Sequence, residues 1–414
     1  MRIAVVGSGI SGLVAANLLS KKHEVTVFEA NGYIGGHTNT RLVERYGQRH
    51  LVDTGFIVFN DWTYPNFIKL LDQLSVETQL TSMSFSVRCE HSGLEYNGTS
   101  LNTLFSQRTN FFRPSFHRMV RDILRFNREA RELIKCEGEE VTLSVFLKEQ
   151  KYSSEFVEHY IVPMGAAIWS TDPELMFEFP ARYFATFFHN HGFLSVNDRP
   201  QWRVIKGGSH NYVPALTEPF QERIRLNHPI TGIKRMDSGI EIQPQNKPPE
   251  RFEKLIVATH SDQALRMLQD PTSEEKEILG AIPYQPNDVV LHTDDRLLPR
   301  KKLSWACWNY HIPKEQKKGA QVTYNMNMLQ NLAAAETYCV TLNGGVGIEA
   351  GKVLRDFTYE HPRYTLDFVA AQKRHDEISG TGRTHFCGAG WGYGFHEDGV
   401  VSAQRVARHF GAEL

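Results

Sequence analysis

The chain opens Met1-Arg-Ile-Ala-Val-Val-Gly-Ser-Gly-Ile-Ser-Gly12, and a second apolar run, Glu24-Val-Thr-Val-Phe28, ends on Glu29. The first run predicts a buried strand that turns on Gly7, Gly9 and Gly12 into a helix over residues 13–20. The second predicts a neighbouring strand with an acid at its end. Each part has a physical duty. Gly7 permits a tight turn, Gly9 lets backbone N–H groups approach a pyrophosphate, and Gly12 lets the helix lie close on the strand. The helix N-terminus offers unpaired N–H groups and the positive end of its dipole. Glu29 can accept hydrogen bonds from both hydroxyls of an adenosine ribose and repels a 2′-phosphate. Glycines at this spacing are weak evidence alone. Strand, helix, second strand and acid together predict a dinucleotide site for NAD or FAD rather than NADP.

The 414 residues suffice for two domains or one composite one, and a net charge of −1 gives no field for nucleic acid. No uncharged apolar run is long enough for a transmembrane helix. The N-terminal run is expected to be the first strand of the fold rather than a signal peptide. The five cysteines, Cys89, Cys136, Cys307, Cys339 and Cys387, are scattered and form no C-x-x-C. That argues against a disulfide framework, a zinc site or a redox dithiol, and for reduced, buried thiols in a cytoplasmic protein. No histidine spacing suggests a metal site.

Outward from the fingerprint, Ala30-Asn-Gly-Tyr-Ile-Gly-Gly-His-Thr38 leads into a polar hairpin over 39–49 and a strand over 50–60. Gly55 inside that strand marks close approach of a ligand. From Tyr64 the spacing of Leu70, Leu71 and Leu74 predicts a helix. Residues 105–135 are basic and aromatic, with Phe116, Met119, Val120 and Ile123 at helical spacing. Arg118, Arg121, Arg125, Arg128 and Arg131 sit between them. This predicts a packed helix with a solvated basic face. The alternative is a surface helix touching anionic lipid head groups. Lys254-Leu-Ile-Val-Ala-Thr259 reads as a buried strand, and 288–292, 305–311, 321–327 and 337–342 as antiparallel strands. Gly344-Gly-Val-Gly-Ile-Glu-Ala350 imitates the fingerprint but lacks its helix and second strand, so one dinucleotide is expected.

Four blocks, 7–29, 35–38 with 53–55, 206–216 with 224–268, and 386–407, together resemble the flavin-containing amine-oxidase superfamily. That superfamily also holds protoporphyrinogen oxidase and the phytoene-type carotenoid desaturases. Gly392-Tyr-Gly-Phe-His-Glu-Asp-Gly399 and Glu360-His-Pro362 are similar to a bacterial subgroup whose genes often neighbour cyclopropane-fatty-acid synthase. Some relatives there act on acyl chains during furan fatty acid formation. The resemblance implies FAD and an α/β fold: a discontinuous Rossmann-type FAD-binding domain (1–62, 203–264 and 380–414) with an inserted α+β substrate domain (63–202 and 265–379).

The resemblance also implies a cofactor site. Gly7, Gly9, Ile10, Ser11 and Gly12 would hold the phosphates, with Glu29 and Ala30 at the ribose and Ile230 at the adenine edge. Gly35, Gly36, Thr38, Gly55, Phe56 and Ile57 would follow the chain of the cofactor toward its ring. His37 stands where relatives often carry Arg, and is either a phosphate or ribityl contact or a turn residue. Gly390 and Trp391 match the Ala-Gly-acid block, with Trp391 in place of the acid. Gly399 and Val400 match the start of the final helix, whose dipole would face the flavin. His396 takes the place of an aromatic on the flavin's substrate face. It is either a proton acceptor or the peg of the Gly-rich turn. Tyr393 and Glu397 are expected in the same pocket, and His361, before Pro362, as a turn residue, with catalysis the alternative.

The implied reaction is oxidation or desaturation of a hydrophobic, acyl-type substrate by hydride transfer to flavin N5. Alternatives are an amine oxidase, a flavin-dependent double-bond isomerase, and a flavin-binding accessory protein of lipid modification without turnover. The expected partners are a lipid acyl substrate and an anionic membrane touched peripherally at its inner face. No nucleic acid is expected.

Overall fold

A computed structural model describes residues 1–315 and 318–414. At its centre is a five-stranded parallel sheet ordered Ile224–Arg225, Glu24–Phe28, Arg2–Val6, Lys254–Val257 and Thr384–Phe386. The register sets Ile3 between Val25 on one side and Lys254 on the other. Parallel strands covered on both faces are continuous apolar runs, as Ile-Ala-Val-Val is here. Their period of two divides them between two cores. Ile3 and Val5 face the fingerprint helix, Ile10–Ser20, and the C-terminal helix, His396–Arg408. Ala4 and Val6 face a three-stranded antiparallel sheet, Ile230–Met236, Gly239–Pro244 and Glu250–Phe252, through Ile233, Ile240 and Ile242.

All five parallel strands lie within 1–62, 203–264 and 380–414. The segments between supply a seven-stranded sheet ordered Val353–Pro362, Tyr284–His292, Cys339–Leu342, Val322–Asn325, Trp308–Ile312, Phe85–Cys89 and Leu94–Asn97. It is antiparallel except where Trp308–Ile312 runs parallel to Phe85–Cys89. Helices Pro114–Lys135 and Ala181–Asn190 pack together, with Phe126 set between Phe184 and Phe188. The helix Pro65–Gln73 joins the nucleotide-side core through Phe67, Leu70 and Leu71.

Several expected elements differ. The strand foreseen over 50–60 breaks into Gln48–Asp53 and Val58–Asn60. The break is at Gly55, where a Cβ would stand 2.2 Å from the His37 carbonyl oxygen. Gly345–Gly347 is a short helical turn between strands of the seven-stranded sheet. Glu360-His-Pro362 is no turn but the end of the ten-residue strand Val353–Pro362. Cys136 is exposed, whereas the other four cysteines are buried. No helix among the described residues is long and apolar enough to cross a membrane.

Candidate active site

A cavity of about 1040 Å³ runs from the fingerprint turn to the seven-stranded sheet. It opens at the carboxyl ends of the parallel strands, where ligands of such sheets bind. At its phosphate end three glycines do three different things. Gly7, with φ +106°, has the Ala258 carbonyl oxygen 2.6 Å from where a Cβ would be. At Gly12 the same test meets the Gly7 carbonyl oxygen at 2.0 Å, so helix and strand touch. Gly9 meets nothing within 4 Å, so its missing side chain is open cavity. Gly9, Ile10 and Ser11 line that space, while Gly12 is absorbed in packing.

Glu29 is pinned by the loop it serves. One carboxylate oxygen accepts from Ser8 N at 2.9 Å and Ser8 Oγ at 2.6 Å; the other accepts from Asn31 N at 2.8 Å and Asn31 Nδ2 at 3.0 Å. A ribose bound here would exchange with a side-chain donor, Ser8 Oγ or Asn31 Nδ2. Ala30 and Ile230 line the same end, together with Val257, Met267 and Leu279.

Gly35 and Gly36 take φ values of +117° and +58°, and a Cβ on Gly36 would stand 3.2 Å from Gly9 Cα. The pair thus runs against the fingerprint turn, tied by Gly35 N to the Ser8 carbonyl at 3.0 Å. His37 follows. Its Nε2 is sealed from solvent, with no hydrogen-bond partner among the described residues. Burial and the neighbouring His260 pull its pKa down to about 4. Its ring lies 4.9 Å from Tyr359 and 5.3 Å from His361.

His396 stacks flat on Phe56, with centroids 3.5 Å apart and planes 12° from parallel. Its Nε2 meets Thr38 Oγ1 at 3.0 Å and Tyr212 Oη at 3.3 Å, and these two hydroxyls bond each other at 2.6 Å. Burial, then His37, holds the imidazole well below its ordinary pKa. The ring edge lines the cavity, as do Tyr393, Phe56, Ile57, Gly55, Gly390 and Trp391. Thr38 does not; it is fully buried and braces His396.

Three expectations are corrected. Glu397 is turned away from the pocket and accepts from Asn66 N, Asn66 Nδ2 and Phe67 N. Adjacent helical residues point about 100° apart, so His396 and Glu397 do not share a face. Gly399 and Val400 are not the start of the final helix. Asp398 accepts from Phe395 N at 2.9 Å, and the helix begins at His396. Gly399 instead lies against the fingerprint helix, with Ile10 Cγ2 2.6 Å from its virtual Cβ, and Val400 is fully buried in the core.

Other residues at the cavity carried no signal strong enough to select them. Ile168 and Trp169, from the helix Val162–Trp169, and Trp308 and Tyr324, from the seven-stranded sheet, line it. His260 stacks on Tyr284 at 4.3 Å, and its Nδ1 lies 3.3 Å from Glu360 Oε2. Burial lowers the His260 pKa despite that carboxylate.

Residues 10–332 match the family described as flavin containing amine oxidoreductase, and the chain belongs to that family. An L-amino-acid oxidase of Siganus canaliculatus is 23% identical over 322 residues, which are 70% of this chain and 56% of that one. The chain spans about half the length of that curated relative. Among solved structures, cyclohexylamine oxidase from Brevibacterium oxydans IH-35A superposes with a TM-score of 0.71 at 15% identity, covering 99% of this chain and 98% of that one. A CLA-producing fatty acid isomerase from P. acnes does so at 0.68 and 14%, covering 99% and 98%. These two likenesses establish the fold.

Proposed function

We propose that the chain binds one FAD along this cavity and oxidises or desaturates a hydrophobic, acyl-type substrate. One observation carries the substrate class. Beyond Gly36 the wall includes Ile57, Val58, Ile168, Trp169, Trp308, Tyr324 and Phe395, and the charged Asp, Glu, Lys and Arg residues of the lining are confined to Glu29, Arg266 and Glu360. Such a wall solvates a hydrocarbon chain and offers few counter-ions to a charged small molecule.

The residues present fit an FAD. The open side of Gly9 admits a pyrophosphate onto the N–H groups of Ile10 and Ser11, Glu29 faces a ribose, and Ile230 lies at the adenine end. The sealed, unpartnered Nε2 of His37 supplies a polar contact beside the Gly35–Gly36 turn. When bound, the flavin supplies the hydride acceptor. The aromatic wall excludes water. His396, fixed by Phe56, Thr38 and Tyr212, acts as a positioning residue at the ring end.

The alternative of amine oxidation is favoured by one feature, the Tyr183–Tyr393 pair, whose rings lie 4.3 Å apart with Tyr393 at the cavity. Anaerobic absorbance spectroscopy decides between them. Flavin bleaching by unsaturated or methyl-branched fatty acids is the expected result; bleaching by amines alone overturns the acyl reading. A protein that stays colourless after FAD addition yet binds NADH overturns the cofactor reading.

Peripheral membrane contact belongs to the same proposal. Most of the arginine face of Pro114–Lys135 is occupied: Arg118 pairs with Glu155, Arg125 and Arg128 with Glu129, and Arg131 bonds the Leu194 carbonyl. Support comes instead from the preceding loop, where Phe112 is 88% and Leu101 77% exposed near Arg108. Co-sedimentation with anionic vesicles that is absent, or indifferent to salt, overturns it.

A further inference from the structure

We infer that His361 donates a hydrogen bond from Nε2 to the polar edge of the flavin ring, in an orientation imposed by a relay of two asparagines. The relay begins at the backbone. Asn343 Oδ1 accepts from Asp288 N at 3.1 Å, and Asn343 Nδ2 donates to the Ala320 carbonyl at 3.2 Å. These two contacts leave the Asn343 amide only one orientation. Its Nδ2 also donates to Asn287 Oδ1 at 2.7 Å, which fixes the second amide in turn. Asn287 Nδ2 must then face His361, and it lies 2.9 Å from His361 Nδ1. A nitrogen that accepts carries no proton, so the single proton of the neutral imidazole is on Nε2.

The ring is held neutral. Burial, with His37 and His260 nearby, pulls its pKa down to about 3. Of the groups facing it, Glu360 Oε2 lies 3.3 Å from His260 Nδ1, and His37 makes no hydrogen bond to it although their rings lie 5.3 Å apart. His361 therefore presents a fixed donor, not a base. Among the described residues no acceptor takes that N–H, while the ring lines the cavity. Because that N–H faces the cavity, a ligand that displaces water there is expected to supply its acceptor.

The position selects which ligand. His361 neighbours His37, which directly follows the Gly35–Gly36 turn packed on Gly9. That is the path of the cofactor rather than the hydrocarbon wall. The pyrophosphate is matched by helix N–H groups, whereas a neutral donor suits the carbonyl and ring-nitrogen acceptors of an isoalloxazine. These atoms gain negative charge on reduction, so the donor favours the reduced form.

The inference rests on the FAD reading, and the test separates the two. FAD is titrated into wild-type apoprotein and into His361→Leu, His361→Gln and Asn287→Leu, following flavin fluorescence, absorption bands and midpoint potential. His361→Leu is expected to raise the Kd for FAD about 3- to 10-fold, the loss of one hydrogen bond, and to lower the potential. His361→Gln keeps a donor at similar reach and should stay near wild type. Asn287→Leu frees the proton to either nitrogen and should fall between. A His361→Leu protein that matches wild type in Kd, bands and potential overturns the inference. So does His361→Gln failing to rescue, which makes the ring merely structural. A wild-type protein that takes up no FAD overturns the cofactor reading, and the inference with it.

Discussion

Replacing Glu397 by Ala should destabilise the protein without touching the chemistry. Glu397 follows His396 in sequence, yet its carboxylate caps the helix Pro65–Gln73 from a distance. It accepts from Asn66 N at 3.1 Å, Phe67 N at 2.8 Å and Asn66 Nδ2 at 2.6 Å. Tyr64, which precedes that helix, makes no side-chain cap of its own, so Glu397 is what satisfies these orphan N–H groups. A lost cap costs about 0.5–2 kcal/mol, and hydrogen bonds to a charged group about 1.5–3 kcal/mol each before overlap. The expected loss of unfolding free energy is therefore about 2–4 kcal/mol, and Glu397→Gln, which keeps one acceptor, should lose about half. Phe67 also packs edge-on to Phe56 and His396, at 5.4 and 5.6 Å. FAD affinity should thus fall a few-fold while the folded, loaded fraction turns over normally. Urea unfolding and flavin reduction on the same preparation test this. Unchanged unfolding combined with a hundredfold slower reduction would refute the argument, because the carboxylate would then be acting on the reacting atoms.

His396→Phe keeps the stack on Phe56 and leaves Thr38 bonded to Tyr212, so FAD is retained and reduction slows less than tenfold; a loss of about 10²–10⁴, the cost of a missing base, would show that the imidazole accepts the proton. Gly9→Val should fold normally and lose FAD, since only open cavity surrounds its Cβ position, whereas Gly12→Ala should fold poorly against the Gly7 carbonyl 2.0 Å away; circular dichroism with FAD titration separates them. Stability of the apoprotein should fall as pH drops from 6.5 to 4. Burial lowers His37, His191, His292 and His385 to about 4 and His361 to about 3, so in that window the unfolded chain binds the extra protons. Asp53 and Asp398, raised by burial to about 6 and about 7, oppose this because the folded state holds their protons, but two carboxyls do not outweigh five imidazoles. Urea midpoints that rise toward pH 4 would reverse the sign of the argument.

The nucleotide half is legible because its signals are local. Ile-Ala-Val-Val needs no distant partner to be recognised as a doubly covered strand, and the fingerprint glycines answer to local demands: a φ of +106° at Gly7, open space at Gly9 and the Gly7 carbonyl at Gly12. The substrate half is not. Phe85–Cys89 pairs in parallel with Trp308–Ile312, far along the chain, and nothing in either segment announces the other. The errors at the site have the same origin. Adjacency in sequence suggests that Glu397 lies beside His396, but a helix rotates neighbours apart. Resemblance sets Gly399 at a helix start, but the Asp398 carboxylate moves that start to His396. Pro362 after His361 suggests a turn, yet proline ends a strand as readily when that strand ends at a cavity.

The placement of His361 bears on how this cavity works. Arg2–Val6 has the earlier strand Glu24–Phe28 on one side and the later strand Lys254–Val257 on the other, so the chain changes direction across it. The opening at that switch point is walled on its second side by the seven-stranded sheet, whose edge strand Val353–Pro362 ends there in Glu360-His361-Pro362. His37, His260 and His361 all line the opening, and burial lowers the pKa of each. The three histidines thus bring polar atoms to the opening without bringing charge; the carboxylate there is Glu360. On the proposed reading, hydrogen bonds to a flavin and solvation of a hydrocarbon would coexist in one enclosure. An imidazolium in place of His361 would have to be hydrated, and the water that came with it would compete for space with the proposed acyl chain.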